Sequence, residues 1–445
     1  MSAIQEPKEN EPPHAGGISR NVRVLGWVSL FNDAASEMLY PIMPLFLTAT
    51  LGASPALLGL IDGLAEGIGT SLRWIGGMLS DRLRRRKPLV IAGYTISAFS
   101  KPVMGLAAVT IGWPLFMIGR CADRLGKSVR NAARDALIAA SSSPESRGRA
   151  FGYQRAMDTF GAVAGPLIAF AVIIALTSWH TAMHAGWQAG AGDVHSRALA
   201  SLPLKWLYFI ALVPGLIAVL FVFAVREIRP KPGEPTKTGG KPPPMFQTYP
   251  PRFWRFVLAA FVFSLGNSSD TFLILRSSQM GLSFGLIIFA YVMYNLIYAL
   301  ASEPLGGLSD RIGRKPLLIC GWMIYAAVYV GFAVLRAAWA PWLLLGIYGF
   351  YQAMTDGVTG ALISDVVPDE KRAGAIGLFS SVTGLGQFAA SLTAGAVYSV
   401  MILNGHVMLP FAIGAVCPLG AILILATAGN APKEEINIPA TPPVQ

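Results

Sequence analysis

The sequence Gly77-Met-Leu-Ser-Asp-Arg82 lies between two apolar segments and recurs, with one change, as Gly306-Gly-Leu-Ser-Asp-Arg311. Both copies continue into basic residues, which end at Lys87 in the first copy and at Lys315 in the second. Self-similarity of this kind within one chain is typical of a duplicated architecture. The motif therefore predicts that the chain consists of two similar halves, each of which contains it once.

Two further correspondences extend the repeat beyond this motif. An arginine and two glycines recur in the second half with the same spacing along the chain as in the first. A Ser-Leu-x-Asn pattern also recurs. The matching positions are Arg147, Gly152 and Gly161 with Arg372, Gly377 and Gly386, and Asn32 with Asn267. The duplication therefore covers the first, second and fifth apolar segments of each half.

The composition indicates a membrane protein that crosses the bilayer many times. Of the 445 residues, 53% are hydrophobic and only 13% are charged, and the mean hydropathy is +0.53. Soluble globular proteins carry roughly 25% charged residues, so these values exclude an ordinary soluble enzyme and a disordered chain. The net charge of +11 is explained by basic loops next to a membrane, and no nucleic-acid partner is predicted.

Apolar runs of about 20 residues, the length needed to span a bilayer, divide the chain into twelve segments. They are 22–48, 55–80, 89–109, 112–139, 149–176, 204–225, 253–275, 283–303, 316–335, 341–366, 373–402 and 407–428. The stretch 226–252 is rich in Pro, Gly and Lys and predicts a flexible linker. We therefore expect an all-α polytopic protein with tails at 1–21 and 429–445, and two six-helix bundles at 22–225 and 253–428.

The distribution of basic residues predicts the orientation in the membrane. With the N-terminus inside, 23 Lys and Arg residues fall in inner segments and four in outer ones, which is the bias of cytoplasmic loops. Residues 1–21 lack an apolar core, so we expect no signal peptide, and the first span would direct insertion. The predicted location is the plasma (inner) membrane, with both termini cytoplasmic.

These features resemble the major facilitator superfamily over essentially the whole chain. The segment from Gly77 to Lys87 resembles the signature loop of that superfamily, and so does the segment from Gly306 to Lys315. The pattern prefers glycine where the first copy has Arg84, whereas the second copy keeps Gly313. The resemblance implies a transporter made of two pseudo-symmetric six-helix bundles, with its substrate between them.

The fifth span is similar to the drug:proton antiporter branch of that superfamily. It carries Gly152, then Gly161, then Gly165-Pro166, although Ala169 and Phe170 replace the usual final glycines. The pair Pro41 and Pro44 in the first span, and Arg120 with Gly126 in the fourth, also match that branch. The resemblance implies an antiporter that exchanges protons for a small organic solute by alternating access.

Ionisable residues are concentrated inside the predicted spans of the first half. A charge at the bilayer centre costs roughly 2.5–3.5 kcal/mol on insertion scales, so such residues are usually paired and functional. A helical wheel places the polar residues of the fourth span on one arc of about 140°. They are Arg120, Asp123, Arg124, Lys127, Arg130, Asn131, Arg134 and Asp135. Arg130, Arg134 and Asp135 lie near the inner end, where snorkelling to the membrane surface is the expected explanation.

Depth along the helices predicts which charges meet. Asp33 and Glu37 of the first span come level with the cations of the fourth, so we expect them to face Arg120, Arg124 or Lys127. Asp62 and Glu66 of the second span could instead form a structural network within the first half. The resemblance supports a first-span acid that works with the fourth-span arginine. The predicted proton-coupling residues are Asp33, Glu37, Arg120, Asp123 and Arg124, with Asp33 as the main carrier.

Polar residues at other depths are candidates for substrate binding and gating. The predicted substrate-binding residues are Asn32, Lys127, Arg155, Asp158, Asn267, Asp270, Tyr351 and Gln352. The predicted gating residues are Gly77, Asp81, Arg82, Asp310, Arg311, Gly161, Gly165 and Pro166. Because five basic residues against two acids lie on the polar face of the fourth span, the sequence favours a substrate with an anionic group, amphipathic or zwitterionic.

The remaining features fit a transporter driven by a proton gradient, with no cofactor and no metal. The three cysteines lie alone in apolar segments, and His180, His184 and His195 fit an exposed loop better than a metal site. No phosphate-binding loop is present, and no nucleophile or metal spacing predicts an enzyme. A proton symporter that imports an organic anion is the alternative, and a membrane sensor or enzyme is the distant one. We expect a monomer.

Overall fold

The computed structural model describes residues 18–72, 86–142, 147–184, 202–227, 249–367, 372–403 and 408–427. These ranges are largely helical and contain no β-strand, which confirms the predicted all-α class. We number the helices that match the predicted spans α1 to α12, and we count two segments separated by a short break as one helix. The first six are Arg20–Glu37 (α1), Pro55–Ser71 (α2), Lys87–Leu106 (α3), Trp113–Ala140 (α4), Arg147–Leu176 (α5), and Leu204–Ile210 with Leu212–Phe223 (α6). The second six are Pro251–Gly266 with Thr271–Gln279 (α7), Phe284–Ile312 (α8), Arg314–Val334 (α9), Ala340–Val366 (α10), Arg372–Leu403 (α11) and Leu409–Thr427 (α12).

Three spans that the sequence predicts as continuous are interrupted. The first span ends as a regular helix at Glu37, and the chain continues through the short helix Met43–Leu45 and the π-helical turn Phe46–Thr50. Pro41, which cannot donate a backbone hydrogen bond, lies in this interruption. In α6 the break at Ala211 lies just before Pro214, whose ring conflicts with the carbonyl four residues earlier. The third break, in α7, forms part of the candidate site.

Eight helices of the described residues are long and apolar enough to cross a membrane by length and composition. The helices α1, α2, α4 and α10 are not among them. Each of these four carries ionisable residues in its interior, for example Asp33 in α1 and Asp356 in α10. Because intramembrane charges face the interior of a bundle or a wet cavity, these four helices are expected to turn their charged faces inward.

The packing of the helices repeats between the two halves. In the first half α1 packs against α5 and α6, α3 packs against α4 and α6, and α2 packs against α4. Adding six to each number gives pairs that also pack in the second half. Between the halves, α2 lies against α11 and α5 lies against α8. These two pairs are equivalent, because replacing each helix by its counterpart in the other half turns one pair into the other. The fold is therefore two pseudo-symmetric six-helix bundles, as predicted.

The helices of the two halves contact each other closely at the side where α2 begins. We call the side at which α1 begins the terminus side and the opposite one the far side; in the predicted orientation the terminus side is cytoplasmic. On the far side, a Cβ atom at Gly59 of α2 would lie 2.2 Å from the Ser391 carbonyl oxygen of α11. One turn earlier in α2, the backbone N–H of Ala56 donates to Ser399 Oγ at 2.8 Å. Only helices without side chains at the contact approach this closely, so the far side is closed.

Candidate functional site

A cavity of about 370 Å³ lies between the halves, at the level of the break in α7. That volume falls within the range of roughly 300–1,000 Å³ that is usual for small-molecule sites. The wall comes mainly from α7, α10 and α11, with Trp322 of α9, and with Glu66 and Tyr40 from the first half. Four predicted substrate-binding residues line it: Asn267, Asp270, Tyr351 and Gln352. The polar positions of the seventh and tenth spans are therefore brought together in one place.

The break in α7 exposes polar backbone and side chains to this cavity. The sequence Asn267-Ser-Ser-Asp270 interrupts the apolar span, and these residues separate Pro251–Gly266 from Thr271–Gln279. Ser, Asn and Asp compete with helical hydrogen bonding through their side chains, which explains why the helix stops here. Tyr348 of α10 donates to Asp270 Oδ1 at 2.6 Å, and so holds the carboxylate at the cavity wall.

Asp62 forms hydrogen bonds with both halves of the protein. Its Oδ1 accepts from Arg120 Nε at 3.2 Å and from Nη2 at 3.0 Å, within the first half. Its Oδ2 accepts from Ser269 Oγ at 2.6 Å and from the Thr271 hydroxyl, both in the second half. The Asp62 side chain is 1% exposed. A buried carboxylate with these four bonds joins α2, α4 and α7.

The cations of α4 therefore have partners other than those predicted. Arg120 pairs with Asp62, and Arg124 Nη2 lies 2.5 Å from Glu66 Oε1. The expectation that these arginines pair with Asp33 or Glu37 is wrong for the described structure. The physical reason is that α2 packs against α4 and presents its acids to that helix, whereas α1 packs mainly against α5 and α6.

Asp123 lies on the other flank of α4 and has a partner that the sequence analysis missed. Ser97 Oγ of α3 donates to Asp123 Oδ1 at 2.5 Å, and Lys101 Nζ lies 3.4 Å from the same oxygen. Lys101 is 2% exposed. The available signal was a lysine inside the apolar run of the third span, next to Pro102. Asp123 therefore belongs to a buried ion pair within the first half.

Asn32 connects α1 to the inner part of α4. Its Oδ1 accepts from Arg130 Nη1 at 2.7 Å, and its Nδ2 donates to Asp33 Oδ1 at 3.0 Å. The Arg130 guanidinium also lies over the Tyr94 ring, 4.4 Å from its centroid. Because Arg130 is 2% exposed, the expectation that it snorkels to the membrane surface is wrong.

Arg134 and Lys127, which lie on the same face of α4 as Arg130, differ in their hydrogen bonding. Arg134 is likewise bonded inward, to Ser29 Oγ at 3.3 Å, so its predicted snorkelling is also wrong. Lys127 has no hydrogen bond or ion pair with the described residues, but its charge interacts with those of Asp33 and Glu37. Both first-span acids therefore interact with Lys127 through charge, and Glu37 also interacts with Arg124 in this way.

Glu37 reaches the second half directly. Tyr291 of α8 donates to Glu37 Oε2 at 2.6 Å. From Tyr291, a series of ring contacts runs through Tyr294 to Tyr348, with centroid separations of 5.7 Å at each step. Tyr348 is the residue that donates to Asp270. Packed tyrosines thus connect the acid of α1 with the acid of the broken helix α7.

Two predicted substrate-binding residues of α5, Arg155 and Asp158, have different bonding partners. Arg155 donates to the Tyr298 hydroxyl and, at 3.4 Å, to Asp356 Oδ2 of α10, so it crosses to the second half on the terminus side. Its side chain is 61% exposed. Asp158 instead accepts from Gln154 Nε2 at 2.5 Å. Neither residue lines the cavity described above, and the same holds for Asn32 and Lys127.

The glycines predicted to act in gating fit tightly against α1. A Cβ atom at Gly161 would lie 2.5 Å from the Leu30 carbonyl oxygen, and one at Gly165 would lie 2.5 Å from that of Ala34. Gly386, the repeat counterpart of Gly161, packs in the same way against Ser264 of α7. Small residues at both positions allow the helix backbones to approach closely. Pro166 is part of α5, which continues to Leu176.

The signature loops are described only in part. Gly77, Asp81 and Arg82 lie outside the described residues, and Asp310 is placed within α8 without a described side chain. Arg311 is exposed at the end of the same helix. Gly313 follows with φ +95°, in the left-handed region that favours glycine. This explains the glycine in the second copy of the motif; Arg84, at the matching position of the first, also falls outside the described residues.

Comparison with known proteins agrees with this architecture. The profile of the Major Facilitator Superfamily matches residues 25–293 and 272–443. The chain is 33% identical over 403 residues to an uncharacterized MFS-type transporter of Methanocaldococcus jannaschii, covering 89% of this chain and 92% of that one. It is 23% identical over 444 residues to a probable 4-methylmuconolactone transporter of Cupriavidus pinatubonensis, covering 94% of each. The crystal structure of a D-xylose-proton symporter superimposes with a TM-score of 0.70 at 15% identity, over 92% of this chain and 97% of that one. The chain therefore belongs to the major facilitator superfamily and is a multi-pass membrane transporter of that type.

Proposed function

We propose that this transporter is a proton-coupled antiporter that exports a small organic solute by alternating access. The observation that carries the proposal is the contact of two first-half acids, buried Asp62 and half-buried Glu37, with hydroxyl groups of the second half. A ligand can shift a conformational equilibrium only if it binds the two states differently. A proton on either acid would change a bond that exists while the far side is closed.

Asp33 and Glu37 are the proposed proton carriers. Both charges interact with Lys127, which has no other described partner, so the proton and the lysine would compete to neutralise them. Arg120, Asp123 and Arg124 hold the surrounding network in place through their ion pairs. In this proposal the protein is a monomer of the cytoplasmic membrane, with both termini inside, and a symporter that imports its solute is the alternative.

The test measures proton movement in proteoliposomes that contain a pH-sensitive dye and are energised by a pH gradient. Pools of cationic, zwitterionic and anionic compounds are added to wild-type protein, to Asp33→Asn and to Asp135→Asn. Asp135 is a matched control, because its side chain is 47% exposed and pairs with the adjacent Arg134. We expect one pool to release the proton gradient with the wild type and with Asp135→Asn, but not with Asp33→Asn.

The direction of coupling follows from the same vesicles. Solute movement against the proton flux supports antiport, whereas movement with it supports the symporter. Retained proton coupling in correctly folded Asp33→Asn would remove Asp33 from the proposed role and leave Glu37. Solute transport without any proton movement would overturn proton coupling itself.

A further inference from the structure

The charge of the cavity between the halves differs in sign from the polar face of α4. Three carboxylates, of Glu66, Asp270 and Asp356, are among the described residues that line the cavity, and these lining residues include no Lys, Arg or His. The sequence pattern, in which basic residues outnumber acids on α4, therefore does not describe the space in which a solute would sit. The basic groups of that face lie behind the wall.

The cations nearest to the cavity are already engaged. Arg124 lies 2.5 Å from Glu66, and Arg155 lies 3.4 Å from Asp356. Asp270 differs from these two acids, because it accepts a hydrogen bond from Tyr348 but forms no ion pair with any described residue. An ionised Asp270 thus leaves the cavity wall with one negative charge that no cation of the described residues balances.

The break in α7 brings two helix ends of opposite sign to the cavity wall. The backbone dipoles of Pro251–Gly266 place partial negative charge at the C-terminal end of that segment, where Ser264 and Asn267 line the cavity. The N-terminal end of the following segment Thr271–Gln279 carries partial positive charge next to Asp270, so the polar groups that a cation would meet are the carbonyl end of Pro251–Gly266 and the Asp270 carboxylate. In transporters, the C-terminal ends of broken helices coordinate cations.

Aromatic rings complete the surroundings of Asp270. Tyr40, Phe263, Trp322, Tyr348 and Tyr351 all line the cavity. The rings of Phe263 and Trp322 stack with centroids 4.9 Å apart, and those of Tyr348 and Tyr351 lie 5.0 Å apart. Aromatic faces attract organic cations by about 0.5–2 kcal/mol each, depending on desolvation. An inorganic ion would not use so much apolar wall.

We infer that the cavity binds a small organic cation, such as an amine or a quaternary ammonium with an apolar body, and that Asp270 is its counter-ion. This inference rests on the proposed function, since it takes the cavity as the transport site, and it replaces the anionic substrate that the sequence favoured. The positive charge would lie against Asp270 and the α7 break, and the apolar body against Trp322 and Tyr351.

The probe is tritiated phenyltrimethylammonium, whose equilibrium binding is measured on purified full-length protein by scintillation proximity. Benzenesulfonate, an aromatic anion of similar size, is the competitor of opposite charge, and unlabelled phenyltrimethylammonium is the positive control. We expect displacement by the cation and none by the sulfonate. Asp270→Asn should weaken binding by about tenfold or more, because a charge partner in a desolvated site is lost, whereas Asp270→Glu should retain part of it.

Asp135→Asn is the matched control and should bind as the wild type does. Phenyltrimethylammonium binding that does not depend on Asp270, no binding of this cation to the wild type, or equal displacement by benzenesulfonate would overturn the inference. If Asp270→Asn fails to fold, the charge preference of the wild type decides alone. Loss of proton exchange with intact cation binding would instead overturn the proposed antiport and leave this site.

Discussion

The hydrogen bonds of Asp62 should control how readily the far side opens. Its ion pair with Arg120 lies within the first half, so it is expected in both conformations and cancels in their difference. Only the bonds from Ser269 and Thr271 cross between the halves. A hydrogen bond to a charged group contributes about 1.5–3 kcal/mol. An amide at position 62 keeps one acceptor oxygen, so Asp62→Asn should lose the equivalent of about one such bond.

A loss of this size shifts the ratio of open to closed far side by roughly 10- to 150-fold, because each 1.4 kcal/mol is a factor of ten. The assay uses a protein whose three cysteines, Cys121, Cys320 and Cys417, have been replaced and which carries Ser399→Cys. That position is half-buried and bonds to the backbone of Ala56 on the closed far side, so a membrane-impermeant maleimide should label it faster after opening.

We expect Asp62→Asn to raise the labelling rate by about one order of magnitude or more. The double variant Ser269→Ala with Thr271→Val should reproduce the increase, because it removes the same bonds from the other half. Asp135→Asn controls for the change from acid to amide elsewhere in the first half. An unchanged or slower rate in folded Asp62→Asn would refute the reasoning, because the bonds across the halves would then contribute nothing to closure.

Three further changes test the packing and the ion pairs. Lys101→Met should lower the stability of the purified protein by about 3–5 kcal/mol, because it leaves Asp123 as a buried charge without its cation. Adding Asp123→Asn to this variant should restore much of the loss in a thermal unfolding assay. If the two substitutions instead destabilise the protein additively, the result would argue against the ion pair. Gly161→Val should abolish transport, because its Cβ would lie 2.5 Å from the Leu30 carbonyl oxygen. Gly152→Ala should leave transport intact, since nothing lies within 4 Å of the added atom. Equal transport activity of the two variants in vesicles would contradict close packing as the cause. Tyr291→Phe should raise the labelling rate of Ser399→Cys by about as much as Asp62→Asn does, because it also removes one bond to a carboxylate across the halves. A much larger effect would place the main closing contact at Glu37 instead, and no effect would argue against a closing role for this bond.

The fold could be predicted from the sequence because its determinants are local or repeated. Apolar runs of membrane length follow from the bilayer thickness, and the duplicated motif at Gly77 and Gly306 identifies the halves. The same signals predict continuous spans, so the break in α7 was missed. A run of four polar residues, Asn267 to Asp270, was present within the apolar span and could have indicated it.

The partners of the buried charges could not be predicted in the same way. A helical wheel gives the residues that share a face, and the rise per residue gives their depth, but neither says which helix lies opposite. The sequence therefore predicts that Arg120 meets Asp33 or Glu37, whereas the packing of α2 against α4 decides for Asp62. Lys101 was overlooked because it stands alone in its span, although a single intramembrane lysine is itself a signal.

The positions of the acids relative to the boundary between the halves decide which of them can couple a ligand to movement. Contacts within one half are kept when the halves move as bodies, so their energies cancel between the two states. Asp123 bonds only within the first half among the described contacts, and Asp33 does the same. Asp62 and Glu37 bond across the boundary, and a change of charge on either is therefore felt as a change in the stability of the closed far side. A proton on Asp33 would act on Glu37 directly, by removing a neighbouring negative charge, and through Lys127, whose charge interacts with both acids. Glu37 is therefore the point at which the proposed proton site meets the moving boundary.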